Sequence, residues 1–73
     1  MHDLQIHVRP VYSRKGMFIW TATVDGIEVD SGRAISSEEA VDQAIYCLED
    51  WKAARDFPLF APPYPVVTIT PEA

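Results

Sequence analysis

Two stretches near the start of the chain alternate between apolar and other side chains, with a short polar segment between them. Residues 4–12 place Leu4, Ile6 and Val8 on one face, and residues 17–25 repeat the same period of two. β-Branched and aromatic residues are frequent in both stretches. This period and composition are typical of β-strands that bury one face. The pattern therefore predicts two half-buried strands.

Two turn sequences predict how these strands pair and add a third strand. The segment 13–16 ends in Gly16 and is typical of a hairpin loop that closes on a left-handed glycine, while Asp25-Gly26 signals a two-residue hairpin. The third strand is expected to end near Asp30, because Ser31-Gly32 follows it. The pairs expected from the two turns are Tyr12 with Phe18, Val8 with Ala22, Ile6 with Val24, Val24 with Ile27, and Ala22 with Val29. These residues and Trp20 share one face.

A helix is predicted to follow and to cover that face. Ser36-Ser37-Glu38-Glu39 fits a capping box in which Ser36 is the cap and Glu39 reaches back, and Ile35 is expected to pack on Ala40. Pro58 predicts that the helix ends by about Asp56. The apolar stripe at helical spacing consists of Val41, Ala44, Ile45, Leu48 and Trp51. Lys52 and Arg55 suit the negative C-terminal end of the helix dipole.

The last part of the chain is rich in proline and is predicted to lie extended. Residues 58–73 contain five of the six prolines, and residues 66–70 have the composition of one further short strand. A right-handed crossover would place that strand parallel to the first. The prediction is thus an α+β fold, β-β-β-α with a short fourth strand in the order 3-2-1-4. Residues 1–57 form the core domain and 58–73 the tail.

Composition narrows the classes of function. The net charge is −5, with eleven acidic and six basic residues, which argues against direct nucleic-acid binding. No apolar run is long enough for a membrane span and no signal peptide is visible, so a cytoplasmic protein is expected. A chain of 73 residues builds only a small core, and one cysteine cannot form an internal disulfide. Association with a protein partner, or as a homodimer, is a natural source of added stability.

No arrangement of residues predicts catalysis, a cofactor or a metal site. His7 is expected on the strand face opposite the helix and Cys47 on the helix, so the two cannot form a catalytic pair. Carboxylates on the outer side of the helix are more often a solvated face than a ligand set. The surfaces expected to bind a partner are the uncovered sheet face, the acidic helix side and the tail. Their candidate residues are His7, Arg9, Ile19, Glu38, Glu39, Asp42, Tyr46, Phe60 and Tyr64.

One stretch of the chain resembles a known family. Ser31-Gly32, Ser37-Glu38-Glu39-Ala40 and the apolar pair Ala44-Ile45 follow a pattern of glycine, then Glu-Glu-Ala, then an apolar helix. This pattern, within residues 18–51, is similar to that of HicB-type antitoxin domains. The resemblance implies a partial ribonuclease-H-like β-β-β-α-β fold without catalytic residues. It also implies a role in neutralising a small RNA-cleaving toxin by binding it.

Three hypotheses on function follow from the sequence. The first is a non-enzymatic protein-binding module, such as a HicB-like antitoxin or regulator. The second is an inhibitor from a phage or mobile element that blocks a nucleic-acid enzyme with its acidic helix side. The third is a small ligand-binding or enzymatic subunit whose site forms between copies.

Overall fold

The computed structural model describes residues 2–55 and 62–71 and shows one helix packed on a four-stranded sheet. The strands are β1 (Leu4–Pro10), β2 (Phe18–Val24), β3 (Ile27–Ala34) and β4 (Val66–Ile69), and the helix is α1 (Ser37–Ala54). The sheet order is β3-β2-β1-β4, with β1, β2 and β3 antiparallel and β4 parallel to β1. The α+β prediction and the strand order 3-2-1-4 are therefore confirmed.

The core lies between α1 and one face of the sheet. Every second residue of β1 and β2 is buried there, as their period of two predicts. The helix contributes small residues and one leucine, which allow it to lie close to the strands. The buried apolar residues are Leu4, Ile6, Val8, Trp20, Ala22, Val24, Ala34, Ala40, Ala44 and Leu48.

The β1–β2 register differs from the prediction by two residues. Val8 lies opposite Trp20 rather than Ala22, and Ile6 lies opposite Ala22 rather than Val24. The loop is longer than expected, since the Val11 N–H donates to the Met17 carbonyl at 2.9 Å. Tyr12, expected in a pair with Phe18, belongs to the loop and is 79% exposed. Because a shift of two residues preserves the face on which a side chain lies, the predicted core of β1 and β2 is retained.

The Asp25-Gly26 hairpin is confirmed, and its backbone explains the residue choice. Asp25 has a φ of +54° and Gly26 a φ of +82°, as a type I′ turn requires at both central positions. Val24 lies opposite Ile27, as predicted. Ile27 nevertheless is 70% exposed, so its expected place under the helix is wrong.

A β-bulge in β3 was not predicted, and it changes which residues face the helix. Thr23 pairs with Glu28 but Ala22 pairs with Asp30, so Val29 is the extra residue. Val29 is 39% exposed instead of buried. Beyond the bulge every side chain of β3 lies on the face opposite to the one that an unbulged strand would give it.

The strand β3 also continues to Ala34 instead of ending near Asp30. Gly32 lies opposite Trp20, and a Cβ atom at Gly32 would be 2.7 Å from the indole Nε1. Glycine is therefore not a strand breaker here, because its missing side chain makes room for the indole. The ring is fixed from the other side by a 2.8 Å hydrogen bond from Nε1 to Gln43 Oε1.

The helix cap is confirmed in its main feature. The Glu39 N–H donates to Ser36 Oγ at 3.1 Å, while the Glu39 carboxylate reaches back to the N–H of Ile35 rather than that of Ser36. Ile35 is exposed, so the expected packing on Ala40 is not formed. Among the stripe residues Ala44 and Leu48 are buried, Val41 and Trp51 are half-buried and Ile45 is exposed.

Lys52 lies in the last turn of α1, as predicted, and it is also one of the buried residues of the helix. Its side chain is only 1% exposed, and Nζ lies 3.7 Å from Glu49 Oε1. The buried line of the helix is therefore Ala40, Ala44, Leu48 and Lys52, a spacing of four residues. The aliphatic stem of a lysine can pack on apolar neighbours, which a hydropathy pattern does not register. The helix ends at Ala54, close to the predicted end.

Candidate functional site: an open sheet face

One face of the sheet carries no helix or strand from residues 2–55 and 62–71. It is called here the open sheet face, and four rows of side chains cross it. The first row is Val11 and Met17 in the loop; the second is Arg9, Ile19 and Arg33; the third is His7, Thr21, Ser31 and Thr68; the fourth is Gln5, Thr23, Glu28 and Val66. Val11, Met17 and Ile19 are half-buried among their neighbours, while Arg9 and Arg33 are exposed. The face therefore combines an apolar strip with charged margins.

Charge is segregated along the strand direction of the sheet. The end with the β1–β2 loop carries Arg9, Arg14, Lys15 and Arg33, four of the six basic residues. The opposite end, with the β2–β3 turn, carries Asp3, Asp25 and Glu28. We call these the basic end and the acidic end. A surface with separated charges fixes the orientation of whatever binds it, because the reverse orientation brings like charges together.

The β-bulge creates this arrangement. In an unbulged strand Ile19 would lie opposite Gly32, and Arg33 would lie on the helix side of the sheet. With the bulge at Val29, Arg33 lies opposite Ile19 on the open sheet face, and Arg9 flanks Ile19 on its other side. The apolar residue Ile19 is thus bracketed by two guanidinium groups from neighbouring strands.

Hydrogen bonds hold the polar side chains near the acidic end. The Gln5 Nε2 amide donates to Asp3 Oδ2 at 2.9 Å, and His7 Nε2 lies 3.0 Å from Gln5 Oε1. Since Oε1 can only accept, the proton of this second bond belongs to His7 Nε2. Gln5 therefore fixes both the orientation and the protonated nitrogen of His7 on the exposed surface.

At the acidic end, Asp25 of the β2–β3 turn contacts His2 and Asp3. The Asp25 carboxylate accepts the Asp3 N–H at 2.8 Å and lies 2.7 Å from His2 Nδ1, and the Asp25 N–H donates to the Asp3 carbonyl. These interactions, first the Asp3 N–H and then His2, lower the pKa of Asp25 below its usual 3.8. The His2 ring also meets the ring of Trp51 edge-on at 5.2 Å.

We expect Asn at position 25 to flatten the acid limb of the stability profile. A carboxylate whose pKa is lowered by folding adds stability above its unfolded pKa, and this is lost as the pH falls through the folded pKa. Asp25→Asn keeps the turn, because asparagine tolerates a positive φ, and its amide oxygen can still accept the Asp3 N–H. Urea unfolding between pH 7 and about pH 2 should show a shallower slope below about pH 4 than in the wild-type chain. Equal slopes would contradict this role of Asp25.

The outer side of α1 carries a second charged surface. Glu38, Asp42, Tyr46 and Asp50 follow one another at a spacing of four residues and form what we call the acidic helix stripe. Tyr46 is 80% exposed. The stripe lies on the opposite side of the sheet from the open sheet face.

Glu39 has a different role from its acidic neighbours on α1. Its carboxylate accepts hydrogen bonds from the Ile35 N–H and from Gln43 Nε2, and Gln43 in turn accepts the Trp20 Nε1–H. Glu39 therefore holds the helix start and the Trp20 ring in place. Its role in partner binding stays a prediction.

The environment of Cys47 favours the protonated thiol. It is half-buried, and its Sγ donates to Asp30 Oδ2 at 3.4 Å. Burial first, and then the nearby Asp30 carboxylate, raise the pKa of Cys47 to about 11. The thiol is thus protonated at neutral pH, whereas the thiolate is the nucleophilic form. Within the described ranges no group of three or more His, Cys, Asp or Glu residues could hold a metal ion.

The structure separates the candidate residues into two surfaces. His7, Arg9 and Ile19 lie together on the open sheet face, as predicted, whereas Glu38, Asp42 and Tyr46 lie on the acidic helix stripe. Tyr64 is exposed ahead of β4, and Phe60 lies outside the described residues. Arg33 and Glu28 are the surface residues that the sequence analysis missed. The alternation of small residues at Gly32 and Ala34 was the signal that could have located Arg33 on the open face.

Two further observations complete the description. Within the described ranges no helix is both long and apolar enough to cross a lipid bilayer. Comparisons with protein-family models, with curated proteins and with solved structures found no match to this chain.

Proposed function

We propose that the chain is a non-enzymatic protein-binding module and that the open sheet face is its binding surface. The observation that carries the proposal is the row of Arg9, Ile19 and Arg33, in which an apolar side chain lies between two exposed guanidinium groups. Arginine beside an apolar centre is typical of binding surfaces, because guanidinium groups pair with carboxylates in a fixed geometry. A carboxylate of the bound protein can therefore pair with these arginines while the surface beside it covers Ile19.

The chemistry of the other titratable groups supports a binding role over catalysis. The Cys47 thiol is protonated and bonded to Asp30, and it lies on the helix side of the sheet. His7 lies on the open sheet face, where its partner is the amide of Gln5. Cys47 and Asp30 do lie within hydrogen-bonding reach of each other, but burial and then the carboxylate raise the pKa of the thiol to about 11, so the contact favours the protonated thiol over the nucleophilic thiolate.

A zero-length cross-linking experiment tests the proposal. Lys15, at the basic end, is the exposed one of the two lysines, because Lys52 is buried. A carbodiimide, which joins amines directly to carboxylates, should therefore link Lys15 to an Asp or Glu of the bound protein in an extract of the source cells. The double variant Arg9→Glu/Arg33→Glu should lose the cross-linked product. Retention of the same product by this variant would overturn the proposal.

A matched control uses the other charged surface. The variant Glu38→Lys/Asp42→Lys changes the net charge by a similar amount but leaves the open sheet face intact, so it should retain the Lys15 cross-link. Glu39 is left unchanged, because its loss would weaken the helix start. Circular dichroism of each variant shows whether the fold is kept.

The acidic helix stripe supports the alternative of an inhibitor that binds a basic enzyme surface. Within residues 2–55 and 62–71, Glu38 and Asp42 make no hydrogen bond or ion pair, so their charges are free to meet a cationic partner. Under this alternative, Glu38→Lys/Asp42→Lys abolishes capture of the partner and Arg9→Glu/Arg33→Glu does not, the reverse of the outcome expected above.

A further inference from the structure

We propose that the protein bound by the open sheet face is a second copy of this chain, packed face to face. The two copies are related by a twofold axis that lies between the two sheets, parallel to their planes and perpendicular to the strands. This inference rests on the proposed binding role of the open sheet face. It specifies the partner, the orientation and the residue pairs across the interface.

The positions of the charges on β3 carry the inference. Arg33 lies in the row of Ile19 and Glu28 in the row of Thr23, so each is two β2 positions away from the central row of Thr21 and Ser31. A twofold axis that passes over the central row reverses the strand direction. It therefore places Arg33 of one copy over Glu28 of the other, and the reverse, so that two identical ion pairs form.

The rest of the sheet is complementary in the same orientation. The basic end, with Arg9, Arg14 and Lys15, lies over the acidic end of the second copy, with Asp3 and Asp25. The axis passes over the central row of His7, Thr21, Ser31 and Thr68, which contains no lysine, arginine or carboxylate, and it places His7 of one copy over His7 of the other. Arg9 lies over Gln5 and Ile19 over Thr23 of the second copy, so the charge pairing is that of Arg33 with Glu28 and of the basic end with the acidic end. The parallel orientation would instead bring the arginines of both copies together.

The size of the face sets the expected strength. The strands β1, β2 and β3, about 4.8 Å apart, and the four-residue strand β4 give a face of roughly 18 by 22 Å. Over two copies this is roughly 800 Å², which is less than the roughly 1,200–2,000 Å² of standard specific interfaces, so a weak dimer with a dissociation constant of about 0.1 mM is expected. The second copy also covers Met17, Ile19 and Val11, which are half-buried in the single chain.

Sedimentation equilibrium on charge-reversal variants tests the inference. The wild-type chain, of 8.2 kDa, should change from monomer to dimer between about 5 µM and about 1 mM. Arg33→Glu and Glu28→Arg should each weaken the dimer about ten- to thirtyfold, because each turns two attractive pairs into repulsive ones. Both residues are exposed, so neither change disturbs the core. Asp42→Arg, on the acidic helix stripe, is the control and should leave the dimer unchanged.

An equimolar mixture of the two reversal variants gives the sharpest result. In a mixed dimer, Glu at position 33 meets Arg at position 28, and the native Glu28 meets the native Arg33. The mixture should therefore recover association to within about threefold of the wild type. Added salt should weaken the wild-type dimer, because ion pairs at the margin of a face are screened.

The outcomes separate this inference from the proposed function. A chain that stays monomeric to about 1 mM, or a mixture that does not recover, overturns the second copy as partner. The open sheet face then still has to pass the Lys15 cross-linking test with a different protein. Loss of both the dimer and the Arg9/Arg33-dependent cross-link overturns the two proposals together.

Discussion

Alanine at position 32 is expected to destabilise the fold by about 1–3 kcal/mol, although alanine normally suits a strand better than glycine. The added Cβ would lie within 2.8 Å of three indole atoms of Trp20. The indole cannot move away easily, because it is 5% exposed and its Nε1 is bonded to Gln43. Urea unfolding followed by circular dichroism measures the loss, which is large for a domain of this size.

A second substitution shows whether the cause is the indole. The three atoms that the new Cβ would meet are Nε1, Cε2 and Cζ2 of Trp20, and phenylalanine lacks both the indole N–H and the second ring to which Cζ2 belongs. Gly32→Ala should therefore cost clearly less in the background of Trp20→Phe than in the wild type, with a coupling of about 0.5–3 kcal/mol. Equal costs in both backgrounds would show that the strand backbone, rather than the ring, requires glycine.

Alanine at position 48 is expected to have the largest effect of any helix substitution, about 2–5 kcal/mol. Leu48 is 1% exposed and lies in the buried line of α1 against the sheet. Its truncation leaves a cavity beside the sheet, which accounts for the cost. The whole free energy of unfolding expected for a chain of 73 residues is of about the same magnitude as this cost. The variant should lose its cooperative urea transition at room temperature or show it at much lower urea.

Ile45 provides the matched control for Leu48. Both residues belong to the apolar stripe of the sequence, but Ile45 is 37% exposed. Ile45→Ala should change the unfolding free energy by less than about 1 kcal/mol, because alanine also has the higher helix propensity. A similar loss for both variants would mean that the helix packs on the sheet through a wider face than described.

Much of the fold could be predicted because independent local signals agreed. The period of two in β1 and β2, the Asp25-Gly26 turn and the Ser36 cap each depend on a few neighbouring residues. The register of the first hairpin was wrong by two residues, but the predicted buried face was still correct, because an even shift leaves each side chain on the same face of the sheet.

The errors arose where a tertiary contact overrides a local signal. Ser31-Gly32 resembles a strand end, yet Gly32 continues β3 because the Trp20 indole occupies the space of its side chain. Val29 was expected under the helix, yet the bulge in β3 leaves it 39% exposed. Neither residue can be placed without the strand or helix that packs against it.

The candidate site was predicted only in part for the same reason. His7, Arg9 and Ile19 follow from the period of β1 and β2, so their common face was predicted correctly. Arg33 and Glu28 depend on the bulge at Val29, which has no distinctive sequence of its own. The charge pairing that supports a second copy therefore became visible only with the register of β3.

The separation of the two charged surfaces has a functional consequence. A dimer formed through the open sheet faces leaves both acidic helix stripes on the outside, so the alternative partner surface stays free in each copy. The dimer would then present two identical acidic stripes, related by the same twofold axis.

Methyl chemical shifts on dilution test most directly the central claim that the open sheet face binds a second copy of the chain. Between about 1 mM and about 5 µM, the methyl signals of Met17, Ile19 and Thr21 should move together along one binding curve. The methyl signals of Ile45, which lies on α1, should stay in place and serve as the internal control. Movement of the Ile45 signals without those of Met17 and Ile19, or no concentration dependence at any methyl, would contradict this claim.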